Sequence, residues 1–137
     1  MKRRAALLWF ALAAGWGCTS GPVFPGDRLP PGAWGGEHAL LMVSDTAATL
    51  EFDCASGRIG GPLPVDGDGR FTWEGEYIVG HGGPIRQDEP PDARPATYDG
   101  STNGRDMTLR VRVKDGSIPP LEFQLERGRD ARVFKCL

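Results

Sequence analysis

Thr108-Leu109-Arg110-Val111-Arg112-Val113-Lys114 alternates apolar with polar or charged side chains without a break. Successive side chains of a strand point to opposite faces. Leu109, Val111 and Val113 therefore share one face, and Thr108, Arg110, Arg112 and Lys114 the other. The run ends at Asp115-Gly116, a pair that accepts the positive φ of a tight turn. Alternation then resumes, with Leu121, Phe123 and Leu125 against Glu122, Gln124 and Glu126. This is a hairpin with one face in a core and one in water, as antiparallel sheets commonly are. Its polar faces set a basic stripe (Arg110, Arg112, Lys114) beside a mostly acidic one, and cross-strand charge pairs are expected between them.

The same period of two extends outward from this hairpin. Leu50, Phe52 and Cys54 alternate with Thr49, Glu51 and Asp53, while Phe71, Trp73, Tyr77 and Val79 share a face opposite Thr72, Glu74 and Glu76. Asp66-Gly67-Asp68-Gly69 and Asn103-Gly104 supply further tight turns, and Ser56-Gly57 and Arg127-Gly128 mark further reversals. The pattern predicts eight strands, near 37–44, 47–54, 57–63, 69–80, 95–102, 105–114, 120–127 and 131–136. The 20 glycines and 12 prolines also favour a turn-rich β protein over a helical one. Consecutive hairpins make a meander, and closing it removes both exposed edges. The expected fold is all-β: a single antiparallel up-and-down β-barrel of about eight strands over residues 32–137, with one disulfide. A barrel of this size either fills its interior or holds one small ligand. Phe52, Phe71, Trp73, Tyr77, Tyr98, Phe123 and Phe134 are expected to point inward and fill it. Gly75, Ala96 and Gly100 are the small inward residues that hint at a pocket.

The N-terminus reads differently. Lys2-Arg3-Arg4 precedes an uncharged apolar run from Ala5 to Ala14. That run is too short to span a bilayer and has the length and charge order of a secretory leader. Residues 1–17 are expected to be a signal peptide, and 18–31, rich in proline and glycine, an extended tether. Gly15-Trp16-Gly17-Cys18 resembles a bacterial lipobox at Gly17 and Cys18, although Gly15 and Trp16 depart from its pattern. Gly-x-Gly also satisfies ordinary signal cleavage. The three cysteines favour the first ending: lipidation of Cys18 leaves Cys54 and Cys136 to pair, whereas an odd thiol in an exported chain needs a reason. Two buried free thiols are the competing reading. Pairing would close a loop of about 80 residues, worth roughly 4 kcal/mol in chain entropy. The expected location is periplasm or cell envelope with a lipid anchor at Cys18, or the medium if the leader is simply removed.

Net charge is −2, and losing Lys2, Arg3 and Arg4 takes 16 basic against 18 acidic residues to 13 against 18, or −5. An acidic surface repels phosphate backbones, so no nucleic-acid partner is expected. Nor is there a basic stripe for an anionic membrane, and contact with the bilayer is expected only through the anchor.

Gly32-Ala33-Trp34 resembles the Gly-x-Trp opening of lipocalins and their calycin relatives, in which the Trp packs across one end of the barrel. The Tyr98-Asp99-Gly100 to Val113 hairpin resembles the repeated unit of small lipocalin-like and avidin-like barrels. The chain is shorter than a typical lipocalin and has no C-terminal helix. As a whole it is similar to small bacterial exported proteins and lipoproteins that end in a Phe-Lys-Cys-Leu-like strand. Leu50-Glu51-Phe52-Asp53-Cys54 is similar to the early Cys-bearing strand of small lipoprotein inhibitors of lysozyme or proteases. These resemblances imply binding, not catalysis.

The longest non-periodic stretch, Gly80 to Pro95, holds His81, Arg86, Asp88, Glu89, Asp92 and Arg94 and is the candidate binding loop. A solvated loop stiffened by proline is the plainer account. His81-Gly82-Gly83 is similar to the oxyanion loop of some esterases, but no Gly-x-Ser-x-Gly accompanies it. Asp66-Gly67-Asp68-Gly69 starts like a calcium loop, but Arg70 and Tyr77 stand where ligands belong. His38, beside Glu37 in the first expected strand, reads as a rim residue. No catalytic residue, metal site or cofactor is expected. The expectation is a monomeric, non-enzymatic binding protein for a small ligand or an envelope protein, with an envelope inhibitor of lysozyme or a protease as the alternative.

Overall fold

Side chains that pack on alternate sides, with residues between them that can reverse the chain, recur from Gly32 to Arg127. The computed structural model describes residues 26–137. The expected leader (1–17), Cys18 and the first part of the expected tether lie outside the described residues. Eight strands follow in order: β1 (Gly32–Gly36), β2 (Ala39–Val43), β3 (Ala47–Phe52), β4 (Ala55–Gly60), β5 (Arg70–Val79), β6 (Asp92–Thr102), β7 (Asp106–Val113) and β8 (Leu121–Arg127). Each pairs antiparallel with the next, and β1 pairs with β8 to close the barrel. At that seam Trp34 stands opposite Arg127 and Gly35 opposite Glu126.

The alternation of β7 is realised as read, with Met107, Leu109, Val111 and Val113 buried. On the inside they meet Trp34, Leu41, Leu50, Phe52, Phe71, Trp73, Tyr77 and Tyr98. Side chains fill the barrel axis. Tyr98 is wholly buried, its hydroxyl donating to the Glu76 carbonyl at 2.7 Å. Burial pushes that hydroxyl's pKa far up, with the neighbouring Tyr77 and Glu76 adding to it. The small residue opposite is required: a Cβ on Gly57 would run into the Tyr98 hydroxyl.

The structure departs from the expected pattern at several points. The strand expected at 37–44 is β2, Ala39–Val43, and a further strand, β1, precedes it: the chain reverses between the two at Glu37-His38, where His38 takes a φ of 69°. β1 is Gly-Ala-Trp-Gly-Gly, with one large side chain and hence no visible alternation. The reversal placed at Ser56-Gly57 falls at Asp53-Cys54, with Cys54 at a φ of 54°, and Ser56 and Gly57 lie within β4. Residues 131–136 form no strand of the barrel: they make one parallel bridge, Arg132 to Glu37. Phe134, expected inside, is 63% exposed. The expected ion-pair ladder holds at Arg110–Glu122 (3.7 Å), but Arg112 turns to Asp99 (2.9 Å), Lys114 to Glu74 and Arg105 to Glu126. Lys114 pulls the Glu74 carboxyl below its usual pKa.

The two ends of the barrel differ. At the base, which carries the β2–β3, β4–β5 and β6–β7 connections, residues 61–69 fold over the opening and bury Leu63 and Val65. The N-terminal segment pairs with them, Leu29 N donating to Leu63 O and Val65 N to Asp27 O. The Trp73 indole donates to Pro64 O at 2.9 Å. At the rim, the opposite end, lie the Glu37-His38 and Asp53-Cys54 turns, the loop after β5 and the β7–β8 turn. After β8 the chain reverses at Gly128 (φ 75°) and runs back beside β1 to this same rim.

Candidate binding cleft at the barrel rim

The chain from Arg129 to Leu137 adds nothing to the core, whose last buried member is Leu125. It is held instead by polar links. Arg132 N donates to Gly36 O (3.0 Å), and His38 N donates to Arg132 O (2.7 Å). Phe134 N donates to Asp53 Oδ1 (2.9 Å) and Cys54 N to Phe134 O (3.1 Å). His38 Nδ1 contacts the other Asp53 oxygen, Oδ2, at 2.5 Å. Arg129 and Arg132 both approach Glu37 Oε1. Cys54 and Cys136 then join covalently, with Cα atoms 4.9 Å apart, as the cysteine count leads one to expect.

Between this C-terminal segment and the loop after β5 lies a cleft of about 450 Å³. Ile78, Val79, Ile85, Pro90 and Val133 wall it, with the Cys54–Cys136 bridge at its side. Glu51, Glu89, Asp92 and Lys135 line its edges. Ile85, 80% exposed, stands on the loop. The two walls approach closely at Gly82, where a Cβ would meet the Leu137 carbonyl.

The six residues of the candidate loop divide. His81 and Glu89 lie on the cleft, with His81 Nε2 at 3.4 Å from Glu89 Oε1. A turn between them, Glu89 N to Arg86 O, leaves Arg86 and Asp88 in solvent. Asp92 and Arg94 belong to β6, not to the loop, because the sheet extends three residues further than the alternation suggests. Arg94 grips Asp92 through two bonds and donates to Ser117 Oγ at 2.6 Å, bracing the β7–β8 turn. Asp92's carboxyl is accordingly held below its usual pKa by the Arg94 guanidinium. His38 sits at the rim as read, but in the turn. Asp66-Gly67-Asp68-Gly69 is a hairpin turn, Asp66 Oδ1 accepting from Asp68 N and Arg70 N.

Ile78, Val133 and Lys135 escaped the sequence reading. Four separate segments contribute the walls, and no local spacing betrays that. The one available signal was the disulfide, which forces the C-terminal residues against the Asp53-Cys54 turn. Among the described residues, no three His, Cys, Asp or Glu side chains converge as metal ligands. No protein-family model, curated protein or solved structure matches this chain.

Proposed function

We propose that this chain is a non-enzymatic, exported β-barrel protein that binds a small apolar ligand in the rim cleft. The observation that carries this reading is the placement of free volume. Side chains occupy the axis where a lipocalin-like barrel would hold a ligand, and about 450 Å³ bounded by apolar side chains opens at the rim. That volume falls in the usual range for small-molecule sites. Export rests on the leader-like N-terminus, and the disulfide agrees with an oxidising compartment. Attachment through Cys18 accounts for the third cysteine.

Titration with the fluorophore bis-ANS tests the cleft. The wild type should saturate at one site, and Val133→Asp and Ile78→Asp should each weaken binding about tenfold, since a carboxylate replaces an apolar wall. Equal affinity in all three proteins would dismiss the cleft. Labelling cells with a fatty-acid analogue tests the anchor: the wild type should be tagged and Cys18→Ser should not.

Exposed Ile85 on a proline-braced loop favours a second reading, in which the loop inserts into an envelope lysozyme or protease as an inhibitor. Deleting residues 82–90 without changing the proteins crosslinked to the chain in native envelopes would remove it.

A further inference from the structure

The Cys54–Cys136 bridge lies in an unusual place for a structural disulfide. Cys54 is exposed and Cys136 half-buried, and both line the cleft. A thiolate therefore reaches the sulfurs from solvent without opening the barrel, and exposed bridges are the ones open to exchange. The bridge also ties down no core element. Among the described residues, every buried apolar one lies between Leu29 and Leu125, and the β1–β8 seam is complete at Arg127. Beyond Gly128, the large apolar side chains Phe134 and Leu137 face solvent. What the bridge fixes is the wall of the cleft formed by Val133, Lys135 and Cys136 itself.

We propose that Cys54–Cys136 is a thiol–disulfide exchange site that latches the rim cleft, with a dithiol reductant as its reaction partner. One thiolate of the dithiol attacks Cys54 Sγ, forming a mixed disulfide and releasing Cys136 as a thiolate, which takes up a proton. The second thiolate of the reagent then attacks the reagent sulfur in that mixed disulfide and frees Cys54. Two electrons and two protons pass to the protein, and the dithiol leaves as its own disulfide. With the bridge open, the segment 129–137 is held by a handful of solvent-facing hydrogen bonds and the Glu37 and Asp53 contacts. Such a segment opens locally while the sheet stays closed. Its effect on binding rests on the cleft reading given above; the release of the segment does not.

Amide exchange on the full chain, before and after dithiothreitol, tests the latch, with thiol titration confirming reduction. A Cys54→Ser/Cys136→Ser variant serves as the reduced state in air. The amides of Arg132, Phe134 and Cys54 should exchange at least about tenfold faster in both reduced forms, through an opening that leaves β5, β6 and β7 the most protected part of the chain. Tail amides that speed up only in step with β5, β6 and β7 would overturn the proposal, because the segment would then open only with the whole barrel. Unchanged exchange at Arg132 and Phe134 would overturn it too. Bis-ANS affinity should fall on reduction, and affinity that persists while the tail amides speed up would break the link between latch and cleft. A dye that never binds the oxidised protein would count against the cleft alone, and the amide rates would still decide the latch.

Discussion

The base and the rim of this barrel are closed by different physics. At the base, Leu63, Val65 and Leu29 are drawn under the strands, and Phe71 and Trp73 stack above them with ring centroids 3.9 Å apart. Apolar area removed from water holds that end. At the rim the closing segment keeps Phe134 and Leu137 in solvent and is held by hydrogen bonds, ion pairs and one covalent bridge. Hydrophobic closure is strong and has no chemical handle, whereas polar and covalent closure is weaker and can be undone reagent by reagent. The contrast assigns stability to one end and adjustable access to the other.

Substitutions can test that division. Leu63→Ala should cost the most, about 2–5 kcal/mol, because it hollows the plug of the base; urea unfolding monitored by tryptophan fluorescence reads it. A cost under about 1 kcal/mol would mean that the base is not the stabilising end. Removing the bridge with Cys54→Ser/Cys136→Ser should lower stability by up to about 4 kcal/mol. That loss comes from the freed unfolded chain and not from lost packing, so strand amides that exchange through global unfolding should speed up in step with it while remaining the slowest in the barrel.

The barrel centre predicts a pH response. Burial raises the pKa of Tyr98 and of Tyr77, so the folded state favours their neutral forms. The stability they lend is whole below the ordinary tyrosine value of about 10 and is lost as pH climbs above it. Alkaline unfolding and phenolate absorbance should therefore appear together. Tyr98→Phe should cost about 1–3 kcal/mol at neutral pH, leaving the Glu76 carbonyl without its donor, yet flatten the alkaline decline. Smallest of all, Ile85→Ser at the rim should move stability by no more than about 0.5 kcal/mol, and a larger loss would show the loop to be part of the structural frame.

Much of the frame was legible in the residues and little of the cleft was. β7 and β8 carry unbroken alternation and β5 departs from it only at Gly75 and Ile78, and Asp66-Gly67, Asn103-Gly104 and Asp115-Gly116 sit at real turns. The expected and observed strands both number eight, but they differ by one at each end. Three glycines in five residues hid β1, where Trp34 alone marks the inside. At the other end, Val133, Phe134 and Lys135 mimic a strand, but β1 and β8 have already closed the sheet and leave that segment no edge to join. Asp92 and Arg94 looked like loop residues because charge obscures a strand whose outer face is solvated. The pairing of Cys54 with Cys136 followed from counting. That it also builds a wall depends on where a reversal at Gly128 sends the last residues, and no pattern in the sequence encodes that direction.

The chain enters the barrel at the base, where Asp27 and Leu29 pair with residues 63–65, and finishes at the rim beside Gly82. The two ends of the domain are thus not equivalent handles. A protein immobilised or fused through its N-terminal side would present the cleft outward, whereas any tag appended after Leu137 would sit in the doorway.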